Sequence, residues 1–534
     1  MKAFYEKYEE QFRQIGRVFA LIFILMLLAH GFRFFELAYS DDSVQIVQST
    51  STDWKISIGR WAQPFYWKIR GDIAAPWLMA VLACIFLALS ATITIKIMGI
   101  RSRWGMLLLC LALTANPTMS YLNSTFIMET DTYMLALLLA VLSVSAWKRW
   151  RGGFLLSACF ICISTALYQS YIGCAAVLML AVLAKSAIEE SWGWKKLLGK
   201  GITALAALLG GLVLYKAGMD VFLARAGLDA ANSYNSPVNV GNLTLKKIPT
   251  LLKKTYLYPF RYLSNPLTHL RRLSGVLYLA FILLTLVCLV LILLKRRPKP
   301  AQLLFALLFT AFMPLGMNMV YFISGGWAHS LMIYAYFLAA AYPVWLLEKC
   351  DAEISRSVVL PIGSLFISVV LFFNNMVFAN QMYVRRDLEF QSTLSLATRI
   401  IDRIEQVDGY KPGQTQVALM GTLYDSPLTM RRPGFEHLDG NGTVGLLDGY
   451  GTNNDNYYAI CNPAMYPWYF WQVLGYPLNL VDDFTHDQLA KDPEIRNMPV
   501  FPTEGCIQWK DGETLILKIG VMDASYLKEK GEGQ

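Results

Sequence analysis

Residues 274–294 read SGVLYLAFILLTLVCLVLILL, a run of 21 positions without a charged side chain. Arg271 and Arg272 precede this run, and Lys295 follows it. At 1.5 Å per residue, a helix of that length covers roughly 30 Å, which is the thickness of the hydrocarbon core of a bilayer. The run is therefore predicted to be a transmembrane helix with basic residues at both ends.

Comparable apolar runs recur along the first 380 residues, and the composition changes after them. Of 534 residues, 55% are hydrophobic and 16% charged, against about 25% charged in an average soluble chain. Residues 1–380 hold 34 Lys and Arg against 17 Asp and Glu, a net charge of +17, whereas residues 381–534 hold 13 against 21, a net charge of −8. Eleven spans are predicted, near residues 18–38, 74–98, 104–120, 130–147, 153–167, 171–186, 200–218, 274–294, 301–322, 329–348 and 357–379.

The fold class that follows is an all-α polytopic membrane domain over residues 17–380 and a small α+β domain over residues 381–534. Residues 1–16 are predicted to form an interfacial amphipathic helix, because Phe4, Tyr8 and Phe12 are four apart and share one helical face.

Orientation follows from the basic residues of the short loops, which cluster at every second turn, near residues 96–103, 148–151, 195–200 and 295–299. These turns are predicted to be cytoplasmic. The N-terminus is then cytoplasmic and the C-terminal domain extracytoplasmic, in the cell membrane. The loop 219–273 is basic but is predicted to lie on the outer side. Long loops largely escape the rule that basic loops are cytoplasmic, so the predicted orientation is kept. This loop is either a set of helices on the outer leaflet or a solvated loop.

The C-terminal domain begins with a predicted helix near residues 383–408, whose apolar positions suit one buried face. Residues 416–420 and 514–519 are predicted strands, separated by turns rich in Gly, Pro, Asn and Asp. Cys461 and Cys506 lie in this domain and could form a disulfide or remain thiols.

Several function classes are unsupported by the sequence. It has no phosphate-binding glycine loop, no dinucleotide fingerprint and no Cys/His spacing typical of a metal site. Its basic clusters fall between apolar runs rather than on one continuous face, which argues against nucleic acid as a partner and favours the lipid bilayer.

Carboxylates recur on the predicted outer side. Asp41 and Asp42 directly follow the first span, and Glu129 and Asp131 open the fourth. An adjacent carboxylate pair can provide a general base or bind a divalent ion, or the two side chains can simply be solvated. The sequence therefore leaves a metal requirement open, and any metal ion would be held by Asp41 and Asp42.

Other candidate binding residues lie on the same side. Arg60 stands among aromatic residues, a combination that suits a phosphate and a sugar but also an interfacial aromatic belt. Tyr168 and Gln169 interrupt an apolar stretch, so they mark a tight turn or a lined cavity. His329 follows a Gly-Gly-Trp turn and is either a ligand-binding or a solvated histidine.

Five short motifs in this order resemble one family. They are Ser40-Asp-Asp42, Gly59-Arg-Trp61, Glu129-Thr-Asp131, Leu167-Tyr-Gln-Ser-Tyr-Ile-Gly173 and Asn497-Met-Pro-Val-Phe-Pro-Thr-Glu-Gly505. The chain resembles the multi-spanning glucosyltransferases that modify bacterial O-antigens and related surface polysaccharides, which have the type-C glycosyltransferase superfold.

That resemblance implies a polyprenyl-phosphate-linked hexose as donor, with glucose as the hexose, and a cell-surface glycan as acceptor. It implies direct displacement at the anomeric carbon, with Asp41 as general base and Asp42 in support. A cation such as Arg60 would stabilise the departing phosphate, while Glu129 and Asp131 would orient the sugar or the acceptor. A carrier or flippase for a lipid-linked sugar, and a non-catalytic partner subunit, are the alternatives from other classes.

Overall fold

The computed structural model describes residues 2–39, 41–44, 52–149, 152–189, 191–230, 247–326, 328–422 and 465–522. Helices dominate these ranges. They are α1 (Lys2–Phe35), α2 (Asp41–Val44), α3 (Thr52–Ser57), α4 (Gln63–Arg70), α5 (Pro76–Met98), α6 (Arg103–Thr114), α7 (Pro117–Thr125), α8 (Thr130–Arg149), α9 (Gly153–Leu167), α10 (Ile172–Ile188), α11 (Trp194–Ala226), α12 (Ile248–Ser264), α13 (Arg271–Arg296), α14 (Pro300–Met317), α15 (Met319–Ile323), α16 (Tyr334–Leu338), α17 (Ala341–Cys350), α18 (Val359–Glu405), α19 (Tyr466–Trp468), α20 (Asp483–Lys491) and α21 (Pro493–Asn497).

Eight helices in the described ranges are long and apolar enough to cross a membrane, or nine if α6 and α7, which meet at a 43° bend, form one span. The chain is therefore a multi-pass membrane protein. Two of the eleven predicted spans have shorter helices: α9 is an apolar helix of 15 residues, and the span at 329–348 is divided between α16 and α17. The number of crossings stays a prediction.

Two helices are longer than the sequence predicted. The helix α1 runs without interruption from Lys2 to Phe35, so residues 2–16 and most of the first predicted span form one helix. The helix α18 runs for 47 residues and joins the last predicted span to the helix predicted near residues 383–408. In the loop 219–273, α11 extends to Ala226 and α12 is a separate helix.

The chain forms two compact units. The first comprises Met1–Phe35, Ser51–Asn123 and Ile127–Asn380, and the second comprises Glu36–Thr50, Ser124–Phe126 and Gln381–Gln534. In the first unit α8 packs against α5 and α9, while α10 packs against α14. The start of α8 is fully buried: Glu129 just before it, and Thr130 and Asp131 in its first turn, have no exposed surface.

The second unit contains a four-stranded sheet with the strand order β2-β1-β4-β3, formed by β1 (Gln416–Met420), β2 (Asn479–Leu480), β3 (Ile507–Lys510) and β4 (Thr514–Lys518). The central pair β1 and β4 is parallel, with Gln416 opposite Thr514, and β3 is antiparallel to β4. Both predicted strands are confirmed. Ala418 and Ile516 face a core that includes Ile495 of α21. Whether Cys461 and Cys506 form a disulfide or remain thiols lies outside the described residues, because Cys461 is not among them.

Candidate functional site

The first loop of the first unit contributes α4, which presents a polar face to the interior. Pro64 lies in its first turn, where no backbone donor is needed. Gly71 ends it with a φ of +104°, a conformation that glycine adopts without steric cost. Gln63, Trp67 and Arg70 are four and three residues apart, share one helical face and are buried.

Glu129, just before α8, is the centre of a buried ion-pair cluster. Its Oε1 accepts a hydrogen bond from Lys55 Nζ at 2.5 Å. Its Oε2 accepts from Tyr133 Oη at 2.7 Å and from Gln63 Nε2 at 3.4 Å, and lies 3.7 Å from Arg60 Nη1. The Glu129 side chain has no exposed surface. Burial of a carboxylate is costly unless it is paired and hydrogen-bonded, and Glu129 is both.

Asp131, one residue into α8, binds the other end of the same loop. Arg70 Nη1 donates to its Oδ1 at 2.5 Å, and Tyr66 Oη donates to its Oδ2 at 2.7 Å. Burial and the adjacent carboxylate raise the pKa of Tyr66, so its phenol stays protonated and acts as a donor. Trp67 Nε1 donates to the neighbouring Thr132 hydroxyl at 3.3 Å. The first loop is therefore fixed to the start of α8 through two carboxylates, those of Glu129 and Asp131.

The turn after α9 also contacts the cluster around Glu129. The Arg60 guanidinium lies 4.7 Å above the centre of the Tyr168 ring. Gln169 Nε2 donates to the Ile58 carbonyl at 2.7 Å, and Gln63 Nε2 donates to the Leu167 carbonyl at 2.8 Å. The turn and the first loop are thus held together by side-chain hydrogen bonds to backbone carbonyls.

Gly59 is required by this close approach. Its φ is +81°, and a Cβ at this position would lie 2.3 Å from Tyr215 Oη and 3.1 Å from Gln169 Nε2. Any other residue would be strained in its backbone and would also displace the Tyr215 hydroxyl. The adjacent Arg60 is positioned by this turn.

Among the described residues of this cluster, three cations, Lys55, Arg60 and Arg70, face two carboxylates. Both carboxylates are enclosed and have several donors. The predicted roles of Glu129 and Asp131 in orienting a sugar or an acceptor stay predictions. In this structure they are positioning residues for the cations and the Tyr66 ring that they contact.

A model of the GtrII glucosyl transferase family matches residues 28–340. The chain belongs to the GtrII glucosyltransferase family. The match covers more than half of the chain and includes all eight residues named from the sequence as site candidates. No curated protein and no solved structure is detectably similar to the chain.

Asp41 and Asp42 of this GtrII-family glucosyltransferase begin α2, and their side chains lie outside what the structure describes. The helix α2 belongs to the second unit, where it packs against the π-helical segment Tyr469–Val473. Their proposed roles as base or metal ligands stay predictions. In the described part of the chain, no group of three or more His, Cys, Asp or Glu side chains is arranged to hold a metal ion.

His329 has a local structural contact. It precedes the short 3-10 turn Ser330–Met332, and its Nδ1 accepts a hydrogen bond from the Leu331 backbone N–H at 3.3 Å. Its predicted role as a binding residue stays a prediction.

In this GtrII-family protein, Lys55, Gln63 and Tyr133 were not predicted from the sequence as members of the cluster around Glu129. Tyr133 is four residues after Glu129 and so lies on the same helical face, which is a signal that spacing alone provides. Gln63 shares a face with Arg70 for a similar reason. Lys55 has no such signal, because it is 74 residues from its partner in the chain.

Proposed function

We propose that this GtrII-family protein transfers glucose from a polyprenyl-phosphate-linked donor to a hydroxyl group of an extracytoplasmic acceptor, such as a surface polysaccharide. The donor class agrees with a sequence that has apolar spans and basic and aromatic residues beside them, but no nucleotide-binding motif. A type-C architecture would place such a reaction at the outer membrane surface, where a lipid-linked sugar is accessible.

The proposed chemistry is a single displacement. The acceptor hydroxyl oxygen forms a bond to the anomeric carbon while the bond from that carbon to the phosphate oxygen breaks. The phosphate leaves with the bonding electron pair as polyprenyl phosphate, and the hydroxyl proton passes to the Asp41 carboxylate, which later releases it to water. Asp42 supports Asp41, and a guanidinium stabilises the phosphate charge that develops. Arg60 is the sequence-based candidate for that contact.

The buried cluster around Glu129 is the structural observation that supports the proposal most strongly. It holds Arg60, the Tyr168 ring and Gln169 together within one unit. Aromatic rings and amides are the groups that bind the apolar faces and hydroxyls of a sugar. A rigid loop fixed by buried ion pairs suits the positioning of a reacting sugar.

The test compares Asp41→Asn and Asp42→Asn with Asp53→Asn, a matched control at an exposed position in α3. Transfer of glucose from polyprenyl-phosphate glucose is measured with purified protein in bilayers, together with donor binding. Asp41→Asn should reduce turnover by roughly 10²- to 10⁴-fold, the usual share of acid–base catalysis, and should leave donor binding intact. Asp53→Asn should change the rate by less than about threefold.

Three outcomes would reject the proposal in different ways. Near-normal rates in both Asp41→Asn and Asp42→Asn would reject the mechanism. Transfer supported only by a nucleotide sugar would reject the donor class. Donor movement across the bilayer without bond formation in the wild-type protein would identify a carrier instead of an enzyme.

A further inference from the structure

The second unit contains a buried cluster of guanidinium groups that the reaction described above does not use. On α18, Arg385 Nε donates to Glu389 Oε1 at 2.7 Å, and Arg386 Nη1 donates to Glu389 Oε2 at 3.2 Å. The exposed fractions of these side chains are 7% for Arg385, 0% for Arg386 and 2% for Glu389. Three ionised groups are therefore buried together within little more than one helical turn.

One edge of Arg386 has no hydrogen-bond partner among the described residues. Its Nη1 binds Glu389, whereas its Nε and Nη2 are buried and unpaired. The N–H groups of Nε and Nη2 point in the same direction and form the planar fork that binds two oxygen atoms of a carboxylate or phosphate in parallel. The Nε and Nη2 groups of Arg386 can thus donate two parallel hydrogen bonds to one anion.

The unpaired donors of Arg386 are costly in a buried setting. A buried N–H group without an acceptor loses the hydrogen bond that it would make to water, and the loss is larger for a charged group. A ligand with a negative charge and two acceptor oxygens would satisfy both of these N–H groups.

Arg386 also lies in the unit that contains the Asp41 segment. Phe390, four residues after Arg386, meets Tyr39 edge-on with ring centres 5.9 Å apart. Tyr39 is two residues before Asp41. The ring centres of Phe390 and Tyr469 are 6.3 Å apart, and α2 packs against the segment that begins at Tyr469. The Arg386 turn of α18 and the backbone of Asp41 therefore belong to one packed group.

We propose that Arg386, supported by Arg385, binds a phosphate group through its Nε–Nη2 edge, and that this group is the phosphate of the lipid-linked sugar. The proposal rests on the function proposed above and assigns the phosphate contact to Arg386 in place of Arg60. Arg60 is already paired with Glu129 and stacked on Tyr168. Arg386 would be a binding residue outside the region of the chain that matches the family.

The experiment measures binding of polyprenyl phosphate to the purified full-length protein, with polyprenol as the ligand that lacks only the phosphate. Arg386→Lys keeps the charge and removes the fork, and Arg386→Met removes both. Arg399→Lys is the matched control, at an exposed position on the same helix. Affinity for polyprenyl phosphate should fall roughly 10- to 100-fold in both Arg386 variants, whereas polyprenol binding and the Arg399→Lys variant should be unchanged.

Thermal unfolding without ligand separates binding from a merely structural role. Arg386→Met leaves the Arg385–Glu389 pair intact and removes two buried N–H groups that have no acceptor among the described residues, so its Tm should not fall below that of the wild type. A lower Tm combined with unchanged affinity for polyprenyl phosphate would overturn the proposal. If Arg386→Met does not fold, the wild type still decides, because equal Tm shifts with polyprenyl phosphate and with polyprenol would exclude a phosphate contact.

Inorganic phosphate distinguishes the two sources of the anion. Competition between inorganic phosphate and polyprenyl phosphate in the wild type, lost in Arg386→Lys, supports the assignment. Binding of inorganic phosphate without such competition would overturn the lipid source. Phosphate binding at Arg386 without any glucose transfer would reject the proposed function alone, and transfer with normal affinity in Arg386→Lys would reject the role of Arg386 alone.

Discussion

Glu129 illustrates what a single buried residue does in this protein. It accepts from Lys55, Tyr133 and Gln63 and is paired with Arg60. Since the first loop and the turn after α9 are held through the same groups, the loss of one carboxylate is expected to loosen several segments at once. The sequence named Glu129, Arg60 and Tyr168 as candidates on one side of the membrane, but their mutual contacts became visible only in the structure.

Glu129→Gln is predicted to lower the free energy of unfolding by about 3–5 kcal/mol, because it leaves buried cations without their counter-charge. The measurement is reversible unfolding in mixed micelles. Glu504→Gln is the control, since Glu504 is exposed in the second unit, and its effect should stay within about 0.5 kcal/mol. A double-mutant cycle with Lys55→Met should show strong coupling. An effect of Glu129→Gln as small as the control's would contradict the positioning role.

At the scale of elements, α12 shows how a helix with an internal proline is stabilised by a neighbour. Pro259 has no N–H, so the carbonyl of Thr255, four residues earlier, loses its helical partner. Asn318, which follows α14, donates its Nδ2 to that carbonyl at 2.9 Å. Tyr336 of α16 donates to Asn318 Oδ1 at 2.6 Å. One buried amide therefore joins three elements and completes the hydrogen bonding of α12.

Asn318→Ala is predicted to cost about 1–3 kcal/mol, because it leaves the Thr255 carbonyl and the Tyr336 hydroxyl buried and unpaired. Hydrogen exchange in residues 248–264 should increase. Pro259→Ala restores an N–H to the helix, so the double variant Pro259→Ala/Asn318→Ala should lose less stability than Asn318→Ala alone. Asn265→Ala, at an exposed position after α12, is the control. Additive effects of the two substitutions would show that Asn318 does not act through the Thr255 carbonyl.

The basic residues that predicted the cytoplasmic turns also have a role as helix caps. Lys148 Nζ donates to the Ile97 carbonyl in the last turn of α5 at 2.8 Å. Lys200 Nζ donates to the Trp147 carbonyl near the end of α8 at 2.5 Å. Cations at helix C-termini satisfy carbonyls that lack a partner and interact favourably with the helix dipole. The same lysines that favour one side of the membrane thus stabilise the helix ends on that side.

For the whole molecule, the number of crossings decides on which side the C-terminal unit lies. An odd number, such as nine or eleven, places the two ends of the chain on opposite sides, whereas eight places them on the same side. The expectation from the basic loops is a cytoplasmic N-terminus and an extracytoplasmic C-terminal unit.

Single cysteines placed at Glu10 and at Asp511 test this, in a background without the nine natural cysteines. Both positions are exposed. In spheroplasts, a membrane-impermeant thiol reagent should label Asp511→Cys, whereas Glu10→Cys should react only after lysis. Labelling of both from the same side would indicate an even number of crossings, and a cytoplasmic Asp511 would remove the proposed outer reaction site.

The sequence by itself determined the features that depend on local composition. Apolar runs of about 20 residues predict membrane helices wherever they occur, because the backbone must satisfy its own hydrogen bonds in lipid. The strands at residues 416–420 and 514–518 follow equally from short apolar runs between turns. The family resemblance carried by short motifs is likewise a property of the chain alone, and the family match confirms it.

Only the tertiary structure decided which polar groups meet. Lys55 and Glu129, 74 residues apart, form an ion pair because the fold brings α3 close to the residue that precedes α8. Asn318 reaches Thr255 across 63 residues. In both cases the partners are remote in the chain, and their pairing depends on how whole helices pack. The same holds for Arg386. The sequence predicts that it lies on a helix, but only the structure shows that its Nε and Nη2 are buried without a hydrogen-bond partner among the described residues.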